Sequence, residues 1–382
     1  MKSSLHILMV GGPMYNALYG SIAEFEAREK VGVEVTCSSN HPDLNVRIQR
    51  AFTQSPGYDL ISTHSKFAPA QKGWLSPLDD DFSSSELANF NPDTLELARI
   101  NGELYGIPRN LDIKLLHYRT DWLRSAPATW ESLVQTAQSL TKDQPYGFVF
   151  PGHGSGLFGH FFELCGSAGA YIYGQETPIP KVNNQAGRWA LETLRTLQAA
   201  SPPEVTDWEF DQVSAFFRSG KAAMTTDWPG SFQGHLESEI ASRLGLALYP
   251  NGPMRRATYS GSHTFAVGDK TRDRPLAIAL LKFLSSKESQ LLEARRGTLP
   301  ARLDALEAVK AEVKPGSLQA QRWELLSEAI QYRWVPPKHP NYPAVEAILW
   351  QNVQAFLKGQ QSVDETLGHI EREGEKAARG LL

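Results

Sequence analysis

Read for alternation of hydrophobic and polar positions, the first sixty-odd residues predict strands and helices in turn, the pattern of a mostly parallel sheet with helices on both faces. Residues 5–10 predict a first strand that ends at Gly11-Gly12-Pro13, and a helix with Ile22 and Phe25 on one face follows. Residues 33–37 predict a second strand running into Ser38-Ser39-Asn40-His41-Pro42, and residues 58–62 a third running into Thr63-His64-Ser65. Ligands of such sheets gather at the carboxyl ends of the strands. Tyr15, Ser38, Ser39, His64 and Ser65 are therefore expected along one edge as ligand contacts.

After Ile107-Pro108-Arg109 an extended stretch covers residues 113–118, and Thr129 opens a helix that contains Leu133, Val134 and Leu140. A second series follows: a strand at 146–150, helices at 156–166 and 184–199, and a strand at 222–226 before Asp227-Trp228-Pro229. Beyond extended segments at 244–249 and 259–267 the pattern is helical, and Ser362-Val363-Asp364-Glu365 has the spacing of a capping box. With no internal repeat and no long linker, two lobes are expected to be joined by short crossovers.

Length supports two lobes, since 382 residues exceed what one core usually organises. A formal net charge of −4 removes the basic field that nucleic acid requires, and Arg255-Arg256 and Arg295-Arg296 read as solvated faces. The apolar run near the start has strand length, far short of a membrane span. It also lacks a signal-peptide core and cleavage site, so the chain is read as a mature form or a cytoplasmic protein. Cys37 and Cys165, far apart, exclude a disulfide framework and a thiolate zinc site and read as buried free thiols.

Seven stretches in order carry a resemblance. They are Asn101-Gly102-Glu103-Leu104-Tyr105-Gly106-Ile107-Pro108, His117-Tyr118-Arg119-Thr120-Asp121, Thr129-Trp130-Glu131, the run from Phe217 to Met224, the run from Leu281 to Glu288, Thr298-Leu299-Pro300-Ala301-Arg302, and the run from Gly359 to Leu367. Together they resemble the extracellular solute-binding proteins of carbohydrate importers, the family that includes maltose-binding proteins. The resemblance implies an α/β, two-lobed periplasmic-binding-protein fold of type II, each lobe a mixed sheet flanked by helices, with three hinge crossovers near residues 109–112, 260–264 and 301–306. It implies an N-terminal lobe of residues 1–110 plus 265–302 and a C-terminal lobe of residues 111–264 plus 303–382. It further implies a monomer outside the cytoplasm, its signal removed, that binds a sugar-like ligand by hinge closure and delivers it to the transmembrane permease subunits of an ABC importer, without cofactor or covalent chemistry. The sequence departs from relatives at His64, where they often carry an acidic residue, and at Gly261-Ser262-His263, so ligand identity does not transfer.

A polyhydroxyl ligand needs planar polar groups for hydrogen bonds and an aromatic face for its C–H surface. Asp227 and Trp228 supply both at a strand end, with core packing as the competing role for the indole. Asn110 and Asp112 alternate on an extended segment and point the same way, as ligand acceptors or as turn caps. Ser155 and Gly156 lie in Gly152-His153-Gly154-Ser155-Gly156, where a glycine-rich helix start offers N–H groups, and loop flexibility is the alternative. Ser262 and His263 join the candidates, as does Arg302, to meet ligand or brace the hinge, and Trp334, to enter the cleft or pack across a lobe. Convergence of His64, His263, Arg302 and Arg333 is expected to favour an acidic sugar.

Two rivals remain. An NAD-dependent oxidoreductase would use Gly154-Ser155-Gly156-Leu157-Phe158-Gly159, which satisfies G-x-G-x-x-G, with Glu176 downstream. The Pro151-Gly152-His153 insertion and the mid-chain position stand against it. A carbohydrate-active hydrolase or lyase finds no G-x-S-x-G and no clustered metal-ligand spacing, though paired carboxylates meet only in three dimensions.

Overall fold

In a computed structural model, residues 4–12, 15–38, 41–54, 57–141, 146–174 and 177–381 are described. The chain forms two compact units, one made of Met1–Asp112, Gly261–Val313 and Lys338–Pro340, the other of Ile113–Ser260, Lys314–Pro337 and Asn341–Leu382.

The first unit is built on a sheet in the order Gly32–Ser38, Ser4–Val10, Leu60–His64, His263–Val267, Ile107–Pro108, whose first three strands are parallel and whose fourth is antiparallel to its neighbours. Alternation explains how strand Ser4–Val10 sits. Leu5, Ile7 and Met9 pack with Ile22, Phe25 and Leu281 on one face, while Leu8 and Val10 pack with Leu44, Ile48 and Phe52 on the other. The third strand runs to His64 rather than stopping at residue 62. Ser62 and Thr63 are polar but buried, because the strand pairs along its whole length with His263–Val267 and sets His64 opposite His263.

The second unit holds a sheet in the order Leu244–Ala247, Leu115–Arg119, Ala222–Asp227, Tyr146–Val149, in which only the last pair is parallel. Helix Gly154–Ser167 is buried on nearly every side, as its apolar sequence requires. Thr129 caps helix Trp130–Leu140. Ser362 and Glu365 close the expected capping box on helix Val363–Ala378, with Glu365 N–H 3.3 Å from Ser362 Oγ. The segment at 259–267 divides into strands Thr258–Gly261 and His263–Val267, and residues 171–173 form only an isolated bridge from Tyr173 to Pro180.

The chain leaves the first unit after Asp112 and returns at Gly261, close to the expected first and second crossovers. The third crossing falls at Val313 to Lys314, later than residues 301–306. Helix Leu303–Glu312 stays in the first unit because Ala305 and Val309 are buried there. A short return at Lys338–Pro340 is fastened by Lys338 Nζ, which donates to the carbonyls of Glu96 and Arg99 at 2.8 and 2.9 Å.

Candidate functional site

In the first unit the paired ends of two strands and the segment leading to Asp112 bring His64, Ser65, Asn110, Asp112, Ser262 and His263 together. Asn110 Nδ2 donates to Asp112 Oδ1 at 2.7 Å, while its own Oδ1 accepts the His263 N–H at 3.0 Å. Ser262 Oγ donates to the Asn110 carbonyl at 2.7 Å, and Ser65 Oγ accepts the Ser262 N–H at 3.2 Å. Asp112 Oδ2 lies 3.4 Å from His64 Nε2 and 3.7 Å from His263 Nε2. Burial raises the Asp112 carboxyl above its usual range, and the charge of His263 and the Asn110 hydrogen bond oppose the rise.

Two imidazoles and a carboxylate with donor atoms within 4.8 Å of one another are also a possible metal triad. The hydrogen bonds argue otherwise. The Lys66 N–H donates to His64 Nδ1 at 3.2 Å, so in the neutral ring the proton sits on Nε2, the atom that faces Asp112. A metal would need that lone pair, and histidine ligands normally donate, not accept, at their other nitrogen. Burial, reinforced by the neighbouring Lys66 cation, pushes His64 well below its ordinary pKa and keeps it neutral. The cluster is thus built for hydrogen bonding.

Tyr15 lies beside these groups. Its ring meets His263 edge-on and stacks under the Arg109 guanidinium, 4.7 Å away. Arg109 itself is locked to Glu293 within the buried core. Arg302 does not converge on the histidines. Its guanidinium binds Asp304 at 2.7–2.9 Å over the Phe90 ring, and its N–H bonds Gln290. Arg302 therefore does not join His64 and His263, whose rings lie 5.3 Å apart. Ser38 ends the edge strand opposite Val10, and Ser39 lies outside the described residues.

In the second unit Trp228 follows strand Ala222–Asp227 and is partly exposed. Its indole is backed edge-on by Phe210 and Tyr259 and by Lys114 Nζ, 5.1 Å from the ring centroid. Asp227 turns away from any ligand role. Its Oδ1 accepts from the Trp228 N–H and Ser231, and its Oδ2 from Ser214 and His235. Four donors fill a carboxylate.

Glu163 was not apparent as a site residue. It is fully buried and accepts from the Tyr259 N–H at 2.6 Å on one oxygen and from Lys114 Nζ and Tyr249 Oη at 2.6 and 2.7 Å on the other. Burial pushes Lys114 and Glu163 each toward its neutral form, and their attraction opposes this. The available signal was a single acid in the apolar run 154–168 and a single lysine in the buried run 111–116.

Ser155 donates to the buried Glu346 carboxylate, which also accepts from Tyr342 at 2.6 Å. Gly156 is required by contact: a Cβ there would lie 2.6 Å from the Pro151 side chain. Packing thus accounts for Gly156, and a positive φ of 61° for Gly154. Strand Tyr146–Val149, which precedes it, is a sheet edge with one parallel neighbour among the described residues, unlike a dinucleotide-binding sheet. Glu176 lies outside the described residues. Trp334 pairs with Tyr259 in a short parallel ladder, and its indole packs on helix Gly154–Ser167 at Gly166, where a Cβ would come 2.6 Å from Nε1.

Two α/β units with the chain passing between them, and polar and aromatic groups at their strand ends, define a solute-binding protein of the two-lobed type. The chain belongs to the bacterial extracellular solute-binding protein family, which it matches over residues 20–318. It is 25% identical over 323 residues to a probable ABC transporter-binding protein of Deinococcus radiodurans, covering 75% of this chain and 76% of that protein. It is also 25% identical to the mannitol-binding protein of Pseudomonas aeruginosa, covering 86% and 85% of the two chains. Maltose-bound T. maritima MalE3 has the same fold, with a TM-score of 0.88 at 24% identity over 98% of this chain and 99% of that one. So has an ABC transporter solute-binding protein of Agrobacterium radiobacter K84 in complex with ribitol, at 0.86 and 21% over 98% of each. None of the helices among the described residues is long and apolar enough to cross a membrane.

Proposed function

We propose that this protein is the ligand-binding component of an ABC importer, which captures a sugar or polyol by hinge closure of its two units and passes it to the permease. In this reading it works as a monomer outside the cytoplasm, carries no cofactor and performs no covalent chemistry. Trp228 carries the reading: a partly exposed indole at a strand end, fixed from behind, is the platform a polyhydroxyl ligand's C–H face requires. In the first unit, Asp112, Ser65 and Lys66 add acceptors and donors suited to hydroxyls. Ligand contacts made only in the closed form would shift the population toward it.

The ligand is expected to be neutral, since Arg302 is spent on Asp304 and His64 is held uncharged. The test is a thermal-shift screen over D-mannitol, ribitol, tagatose, maltose and glucuronate, followed by titration calorimetry. Binding raises the melting point by mass action. A neutral polyol or sugar is expected to bind, and Trp228→Ala to weaken it by about 1–3 kcal/mol. Preferential binding of glucuronate would overturn neutrality, and turnover of any compound would overturn the non-enzymatic reading.

A further inference from the structure

We propose that Glu163, acting through Lys114 and Tyr259, is the positioning residue for the Trp228 platform. The proposal rests on the sugar-binding reading for its consequence, though not for its geometry. Among the described residues, three groups make ring or cation contacts with the indole of Trp228: Phe210, Tyr259 and Lys114. Two of the three are tied to one carboxylate. Oε1 of Glu163 holds the backbone of Tyr259 at 2.6 Å, and Oε2 holds Lys114 Nζ at 2.6 Å. Lys114 is fastened a second time, its N–H donating to Thr258 Oγ1 at 3.3 Å, so both partners lie on adjacent extended segments. Tyr249 Oη bonds the same Oε2 and lies 3.3 Å from Thr226 Oγ1, on the strand that leads to Trp228. The carboxylate therefore fixes the cation, the ring edge and the strand that together set where the indole lies.

Hydrophobic packing alone would not require this. A buried ion pair is weak evidence of stabilisation, because well-packed neutral groups of similar size often serve as well or better. An unpaired buried ammonium, in contrast, cannot stay as it is: it moves to water or loses its proton. With Glu163 gone, Lys114 is thus expected either to leave the Trp228 ring or to lose the charge it holds against it. The charged and titratable groups that face Lys114 are Glu163, Asp227, His160 and Tyr249.

This separates positioning from mere stability. The test uses the full chain labelled with 5-fluorotryptophan, the Trp228 resonance being assigned by Trp228→Phe among the nine tryptophans. Fluorine spectra are recorded without ligand for wild type, Glu163→Gln, Lys114→Met and the double variant, with melting temperatures and titrations of D-mannitol, ribitol, tagatose and maltose alongside. The expected result is a displaced Trp228 resonance in all three variants and an affinity at least 10-fold lower, even though the double variant recovers most of the melting temperature lost by Glu163→Gln. On raising the pH, the wild-type Trp228 resonance is expected to titrate with Lys114, and this titration to vanish in Lys114→Met. An unmoved Trp228 resonance in Glu163→Gln would overturn the proposal. So would a double variant that regains the wild-type resonance and affinity, since the pair would then serve stability alone. If wild type binds none of the four carbohydrates, the sugar reading falls, while the ligand-free spectra still decide whether Glu163 positions Trp228.

Discussion

His117 gives the sharpest test of how burial sets the behaviour of the second unit. The side chain is 2% exposed, lies 5.0 Å from the His235 ring and 6.5 Å from the Phe217 ring, and bonds the Leu115 carbonyl through Nδ1 at 3.2 Å. Burial, with the charge of His235 adding to it and that of Asp227 opposing, lowers its pKa from the ordinary 6.5 to about 3. The folded state thus holds the ring neutral while the unfolded chain takes a proton near pH 6.5. Stability from this group is complete above pH 6.5 and is lost as pH falls toward 3. At about 1.4 kcal/mol per decade the whole effect is roughly 5 kcal/mol, of which about 3 is lost by pH 4. His117→Phe removes the titration, and its lost hydrogen bond costs the same at every pH. Asp227 still titrates in both proteins. The assay is native-state hydrogen exchange of strand Leu115–Arg119, corrected for intrinsic rates, at pH 7, 5.5 and 4, which follows the second unit without assuming that both units unfold together. Wild-type protection is expected to fall a few hundred-fold more than that of the variant between pH 7 and 4. Parallel profiles would refute the reasoning.

Asp227 follows the usual carboxylate direction: burial raises its pKa, but the His235 and Ser214 hydrogen bonds and the two histidine charges outweigh this and hold it at about 2. Its contribution is present above about pH 4 and disappears as pH falls through 2, so Asp227→Asn is expected to cost about 2 kcal/mol at pH 7, with the gap to wild type narrowing in acid melts. Zinc or EDTA is expected to leave the melting temperature unchanged, because His64 presents a protonated Nε2 to Asp112; a zinc-dependent rise abolished by Asp112→Asn would show that the ring can change tautomer. Ser362→Ala, which removes the cap of helix Val363–Ala378, is expected to lower stability in urea by about 1 kcal/mol, and an unchanged midpoint would deny the capping box its role.

What the sequence made legible was what repeats with a period or a local signature. Strand Ser4–Val10 and the helix starts at Thr129 and Ser362 all depend on short-range pattern or on family motifs. The site was legible only where neighbouring residues act together, as Asn110 does with Asp112. It was not legible where partners are far apart along the chain: Glu163 meets Tyr259 across 96 residues, and Arg109 meets Glu293 across 184. Asp227 shows the converse error. Its place beside Trp228 at a strand end suggested a ligand acceptor, but Ser214, Ser231 and His235, arriving from two flanking helices and the turn between them, had already filled it. A polar residue's place in the pattern reveals that it is at a strand end, while its function is decided by which donors reach it first. Lone charges inside otherwise apolar runs, such as Glu163 and Lys114, are therefore the better sequence signal, because each demands a partner that the fold must supply.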